Sequence, residues 1–160
     1  MSDNQPRTVD DSYVEMTEIV LPEDTNSHGS IFGGRVLALI DKCAAIVAMR
    51  HSRSLVLTAS VDSVAFLTSM RVGNVMILSG RINAVFGSSM EVEVKVFSET
   101  PLTGQRRLTT RAFVTMVAIG DDGRPHRAAR LELRDDDEKR RAANAEERRA
   151  ARLALRESAD

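Results

Sequence analysis

The sequence predicts one α+β domain in which a curled antiparallel β-sheet wraps a long, buried α-helix. Three observations carry this. Residues 24–51 contain a helix-length run that is apolar on nearly every side. Four Val-, Thr- and Phe-rich stretches of strand length follow it, and short turn-like links join them. A helix apolar all round must be enclosed rather than laid on a surface, and short links force neighbouring strands to run antiparallel. A chain of 160 residues is expected to make one domain with a sizeable core.

Taken in order, residues 1–12 hold too little apolar content to pack and read as a flexible leader. Residues 13–21 alternate as a first strand, with Val14, Met16 and Ile19 facing inward, and Pro22 closes it. A polar loop then leads through Gly33 and Gly34 into the helix, whose Val36, Leu37, Leu39, Ile40, Cys43, Ala44, Ile46, Val47 and Met49 do not fall on one stripe. Residues 55–67 read as one long strand with a mixed face formed by Val56, Thr58, Ser60, Asp62, Val64 and Phe66, suited to a binding channel or a subunit neighbour. Residues 75–86, 89–99 and 107–119 are three further strands. The second of these is nearly pure period two, with Met90, Val92, Val94 and Val96 opposed to Glu91, Glu93, Lys95 and Phe97. A sheet of this kind leaves an outer face and open edges, so pairing with a second copy is expected. Residues 127–160 form a charged tail, expected as a solvated, partly frayed helix, with a grip on an anionic ligand or an assembly contact as the other reading.

Composition excludes several classes. A net charge of −1, no Trp and a single Tyr leave neither a global field nor stacking platforms for nucleic acid. Cys43 is alone, so no intramolecular disulfide and no Cys-rich metal site can form; it reads as a small buried hydrophobe. No signal peptide or membrane-spanning run is visible, so a cytoplasmic protein without membrane insertion is expected. There is no G-x-S-x-G elbow and no helical His/Glu metal pattern.

The chemistry concentrates at residues 24–41. Asp41 is the carboxylate in the apolar run, and burying an ionised carboxylate is costly unless it is partnered. It has either an escape to water or a neighbouring donor, or it has a task. Before it lie Asn26, Ser27, His28 and Gly29, then Gly33 and Gly34, where the free N–H groups of a helix start can bind a developing oxyanion or a phosphate, the other reading being a tight turn that packs the loop against a sheet.

These residues resemble one family. Asp24-Thr25-Asn26, His28-Gly29, Ile31-Phe32-Gly33-Gly34 and Asp41, supported by 61–66, Val72-Gly73-Asn74 and Gly87-Ser88-Ser89, resemble the hotdog-fold acyl-CoA thioesterases over about residues 15–126. The resemblance implies a hotdog domain over 13–126 that hydrolyses fatty acyl-CoA to free acid and CoA, with no metal and no organic cofactor. It implies Asp41 as general base, or as nucleophile, and Asn26 orienting water or polarising the thioester carbonyl. Gly33 and Gly34, with His28 beside them, would bind the oxyanion and substrate, and Gly87, Ser88 and Ser89 would lie near pantetheine or phosphates. For those last three an ordinary hairpin link is an equal reading. Geometry adds that Asp41 lies about 10 Å along the helix from Gly34, too far for a base and an oxyanion donor that meet at one substrate. Asp41 of one subunit is therefore expected to face the Asn26–Gly34 loop of another, in a dimer that the family tends to assemble into hexamers. Two alternatives remain: a non-catalytic acyl-CoA-binding regulator, and a hydratase or dehydratase on the same fold.

Overall fold

The computed structural model describes residues 5–159. In order these form β1 (Arg7–Thr8), β2 (Val14–Ile19), a 3-10 turn (Pro22–Asp24), α1 (Gly33–Ser52), β3 (Leu55–Val61) and β4 (Ala65–Phe66). Then come β5 (Val75–Phe86), β6 (Ser89–Thr100), β7 (Gln105–Ile119), β8 (Leu131–Glu132) and α2 (Asp136–Ala159). The main sheet is antiparallel in the order β2-β5-β6-β7-β3, with β4 also paired to β7. It curls around α1 as the sequence predicts. Leu78, Ile82, Val92, Val94, Val96, Val114 and Met116 meet Val36, Leu39, Ile40, Cys43, Ala44 and Val47 in one core.

Gly80 on β5 sets how close α1 approaches the sheet. A Cβ there would fall 2.8 Å from Cys43 Sγ and 2.9 Å from Val47 Cγ2, so a side chain would force helix and strand apart. Cys43 is accordingly buried, and burial pushes its thiol up to about 11. Within one chain the sheet encloses only one side of α1. Leu37, Asp41 and Met49 stay exposed on the other.

The stretch expected as one strand over 55–67 is broken. An extra residue at Ala59 shifts the register, pairing Thr58 with Met116 but Ser60 with Thr115, and 62–64 leave the ladder before β4 resumes. Such a bulge re-aims side chains. Thr58 therefore faces the helix side and Ser60 the outer side, rather than sharing one mixed face.

Two expectations about the ends are corrected. Met1–Asn4 lie outside the described residues, but from Arg7 the leader packs. β1 runs parallel to β8, Val9 and Ser12 are buried, and Arg7 Nη1 donates to the His51 carbonyl at 2.6 Å. His51 in turn donates from Nε2 to the Ala129 carbonyl at 2.8 Å. Polar side chains fasten this segment, so apolar content alone does not reveal it.

The charged tail is not a solvated, frayed helix either, because α2 docks on the outer face of the sheet. Its Arg141, Arg148 and Arg152 recur at helical spacing and reach down to carboxylates. Arg148 donates to Glu91 at 2.7 and 3.1 Å, Arg141 to Glu93 at 3.1 Å, and Arg152 to Asp62 at 3.0 Å. Asn83 and Arg111 complete the network around Glu91 and Glu93, both fully buried. The period-two pattern of β6 reads its glutamates as solvent-facing; the arginines of α2 let them be covered. Removing one partner of such a buried pair costs about 3–5 kcal/mol.

This network predicts acid sensitivity. Burial raises the Glu93 carboxyl, but Arg111, Arg141 and Asn83 together hold it below its ordinary 4.5. Burial also keeps His51 below its ordinary 6.5. In both cases the unfolded chain takes up the proton first, so each contribution is full above the ordinary value and is lost as pH falls through the folded one. Thermal melts are expected to decline first below pH 6.5 and again below 4.5. Glu93→Gln should weaken the second decline, to which Asp11 and Asp137, both also held below their ordinary 3.8, contribute as well, and leave the first.

Candidate active site

Asp41 sits mid-helix on the open side of α1, and the next element supplies its partner. Thr58 on β3 donates its hydroxyl to Asp41 Oδ1 at 2.5 Å, with Met116 Sδ 3.6 Å from the same hydroxyl. Asp41 Oδ2 has no hydrogen-bond partner among the described residues, so one oxygen is held and the other is free to accept a proton. The carboxylate is exposed within one chain, which satisfies its solvation without removing it from chemistry.

Asn26 organises the preceding loop. Its Oδ1 accepts the N–H groups of His28 at 2.9 Å and Ser30 at 3.3 Å, and its backbone N–H bonds the Ser30 carbonyl at 2.8 Å. Gly29, at φ +76°, makes the turn that closes this loop. With the carbonyl oxygen committed to two donors, the Asn26 side chain offers only its Nδ2 hydrogens outward. That arrangement favours polarising a carbonyl over accepting a proton from water.

The loop is pinned to its surroundings. Phe32 N–H bonds the Asp24 carbonyl at 2.7 Å, Ile31 N–H bonds the Met70 carbonyl at 2.7 Å, and Arg35 pairs with Asp24 at 3.1 Å. Phe32 caps α1 without a side-chain bond, and the N–H groups of Gly33 and Gly34 have no partner among the described residues. The Phe32 ring lies over Gly34, where a Cβ would fall 2.6 Å from it, and the Phe66 ring lies 3.6 Å from the Cβ position at Gly33. Each of the two glycines that carry free donors thus has an aromatic ring beside it. His28 is exposed, and its side chain makes no hydrogen bond among the described residues, while its carbonyl accepts from Arg71 at 3.3 Å.

Not every predicted residue converges. No hydrogen bond or ion pair joins Asp41 to Asn26, Gly33 or Gly34 within the chain, among the described residues. Gly87 and Ser88 form the β5–β6 hairpin, with Gly87 at φ +72° and their carbonyls taken by Ala128 and Ala118. Ser89 lines a groove on the outer side of the sheet. Thr58 is the residue that sequence reading missed. Its signal was a hydroxyl in a strand following a helix that carries a lone carboxylate, which is too common a pattern to single out. No group of three or more His, Cys, Asp or Glu is placed to hold a metal ion among the described residues, and no helix is long and apolar enough to cross a membrane.

Comparison with known proteins places this geometry. Residues 28–105 match the model of the thioesterase superfamily. The chain is 41% identical over 125 residues to YkhA of Bacillus subtilis, an uncharacterized acyl-CoA thioester hydrolase, covering 78% of this chain and 73% of that protein. The chain belongs to the hotdog-fold acyl-CoA thioester hydrolases of the thioesterase superfamily. Among solved structures of these hotdog thioesterases, a hexameric acyl-CoA thioesterase superposes with a TM-score of 0.90 at 44% identity, covering 94% of this chain and 97% of that one. An acyl-CoA hydrolase of Staphylococcus aureus bound to butyryl coenzyme A and coenzyme A superposes with a TM-score of 0.89 at 33% identity, covering 96% and 93%. That thioesterase has also been solved as variants in which an aspartate, an asparagine and a threonine were each replaced by alanine.

Proposed function

We propose that this chain hydrolyses the thioester of fatty acyl-CoA to free acid and CoA in the cytoplasm, without metal or organic cofactor, in a site shared between two copies. The observation that carries this is the Thr58–Asp41 pair on the open face of α1, opposite in character to the donor-only Asn26–Gly34 loop. Fifteen residues separate Asn26 from Asp41 and seventeen separate Asp41 from Thr58. The asparagine, aspartate and threonine varied in the Staphylococcus aureus hydrolase have the same spacing.

In this reading Asp41 Oδ2 takes a proton from water, whose oxygen attacks the thioester carbonyl. The oxyanion is received by the N–H groups of Gly33 and Gly34 and by Asn26 Nδ2, each such donor contributing on the order of 3 kcal/mol. Collapse expels the CoA sulfur, a good leaving group because its thiol is acidic, near 8.5. Thr58 holds Oδ1 so that Oδ2 is aimed.

The shared site follows from distance. Gly34 and Asp41 are separated by about 10 Å of one helix, while base, water and oxyanion donor must lie in successive steps of roughly 3 Å. A second copy closes that gap. The exposed Leu37 and Met49 of α1 and the edge strand β3, with Leu55 and Leu57 uncovered, supply the apolar and hydrogen-bonding surface for it. A trimer of such dimers would give the hexamer expected from the resemblance.

The test is release of CoA from acyl-CoAs of short to long chain. A native protein that binds them and releases nothing would instead be an acyl-CoA-binding regulator. Thr58→Val is expected to lower kcat/KM by about 10- to 100-fold, the loss of one hydrogen bond to a charged group. Thr58→Ser should retain most of the rate, because it keeps the hydroxyl.

A further inference from the structure

α1 begins without the side-chain cap that many helices carry. A Ser, Thr, Asp or Asn cap would bond an N–H group of the first turn and use it up. Phe32 caps with its backbone alone, so the N–H groups of Gly33 and Gly34 keep no partner among the described residues. Two glycines in succession give this helix start little stiffness of its own. One residue grips the chain on both sides of the pair. The Asp24 carbonyl accepts the N–H of Phe32, immediately before Gly33, at 2.7 Å. Its carboxylate pairs through Oδ1 with Nε of Arg35, immediately after Gly34, at 3.1 Å. Oδ2 accepts the Leu21 N–H at 2.9 Å, and the Asp24 N–H bonds the Leu21 carbonyl at 3.0 Å, so the gripping residue is itself locked into the 3-10 turn. The Asp24 side chain is only 14% exposed. Beside it the Thr25–Ile31 bridge closes the base of the Asn26 loop.

We propose that Asp24 is a positioning residue for thioester hydrolysis: with Arg35 it fixes the start of α1, so that the Gly33 and Gly34 N–H groups meet the oxyanion, and it does so without touching the substrate. This rests on the acyl-CoA hydrolase reading above. The two side chains divide the work. Asp24 sets the geometry, and a misplacement of about 1 Å at the reacting groups can cost on the order of 100-fold in rate. Arg35 neutralises Asp24, because an unopposed carboxylate beside the helix start would repel the negative charge that develops there. Glu18, whose Oε2 lies 3.9 Å from Arg35 Nη2, is the more distant carboxylate and holds neither Phe32 nor Leu21.

The experiment compares the native full chain with Asp24→Asn, Asp24→Ala, Arg35→Met, Asp24→Asn/Arg35→Met and, as a control, Glu18→Gln. Two unreactive probes accompany CoA release from a short-chain acyl-CoA. One is its thioether analogue, which keeps the chain and CoA without the reacting carbonyl; the other is the matching trifluoromethyl ketone, whose hydrate carries the oxyanion. In both Asp24 variants kcat is expected to fall about 10- to 100-fold, with KM within about twofold of native. The dissociation constant of the ketone should rise in parallel and that of the thioether should stay unchanged, since of the two only the ketone offers an oxyanion to the donors. A lower folded fraction would reduce the number of binding sites but not the ratio of the two constants. Arg35→Met is expected to weaken the ketone more than Asp24→Asn does, because it leaves the carboxylate unopposed, and the double variant should return to the Asp24→Asn level. Glu18→Gln should match the native chain. Equal weakening of both probes, or no change in either, overturns the proposal, as does loss of the native oligomeric state in Asp24→Asn. A native chain that releases no CoA sinks the hydrolase reading itself, whereas an active native chain with equally active Asp24 variants sinks only the role of Asp24.

Discussion

Asp41→Asn is expected to lower kcat for CoA release by about three to four orders of magnitude while acyl-CoA binding and the assembly persist. The substitution keeps the shape of the side chain and its bond from Thr58, but an amide cannot take the proton of the attacking water. General-base assistance accounts for roughly 10²- to 10⁴-fold, and misplacing the water adds to this. Asp41 is exposed within one chain and lies outside the packed face of α1, so the change should leave the melting temperature within a few degrees of native. Isotope labelling, rather than pH dependence, separates the two roles a carboxylate could play. Loss of a base leaves a residual rate that climbs as hydroxide replaces the missing assistance. If Asp41 were instead the nucleophile forming an acyl-enzyme anhydride, hydroxide attack would bypass the covalent step. Single-turnover hydrolysis by the native enzyme in 18O-water would then leave label in the Asp41 carboxylate.

The fold was legible because the forces that make it are local and periodic. An apolar helix of the right length and strands of period two joined by short links leave few arrangements other than a sheet curled on a helix. Asp41 stood out because a lone carboxylate in an apolar helix breaks a local rule, whereas Asn26 was singled out only by the resemblance to the thioesterases, since an Asn in a Gly-rich loop is ordinary turn chemistry. What escaped notice depends on contacts distant in sequence. Thr58 matters only because β3 returns past α1 and brings the hydroxyl within 2.5 Å of Asp41. The bulge at Ala59 reverses the parity on which the reading of 55–67 relied, and nothing in Thr-Ala-Ser announces it. The docking of α2 was hidden for another reason. Its contact stripe is made of arginines aimed at Glu91 and Glu93, so a search for apolar periodicity finds a solvated helix where a charge ladder is buried.

Mixing two inactive variants is expected to restore activity. If each site takes Asp41 from one copy and Asn26 from the other, a dimer of Asn26→Ala with Asp41→Ala has one site carrying both defects and one carrying neither. Random reassortment puts half the chains in such mixed dimers, each with one of its two sites intact, so the ceiling is about a quarter of the native rate. Either variant alone should remain lower by orders of magnitude. The experiment needs subunits to exchange, by mild denaturation and refolding or by co-expression with distinct tags. A rate near that ceiling has no explanation within one chain, because no single polypeptide in the mixture holds both side chains. A mixture that stays as inactive as its parents, with mixed dimers demonstrated through both tags, would place Asn26 and Asp41 in the same copy's site. It would then require the loop at 26–34 to move toward Asp41 by most of the 10 Å along α1. That movement would have to break the bonds that pin the loop, including those from Phe32 to Asp24 and from Ile31 to Met70, both at 2.7 Å. Breaking several such bonds at about 1 kcal/mol each makes the shared site the less costly arrangement, and the recovered rate measures it directly.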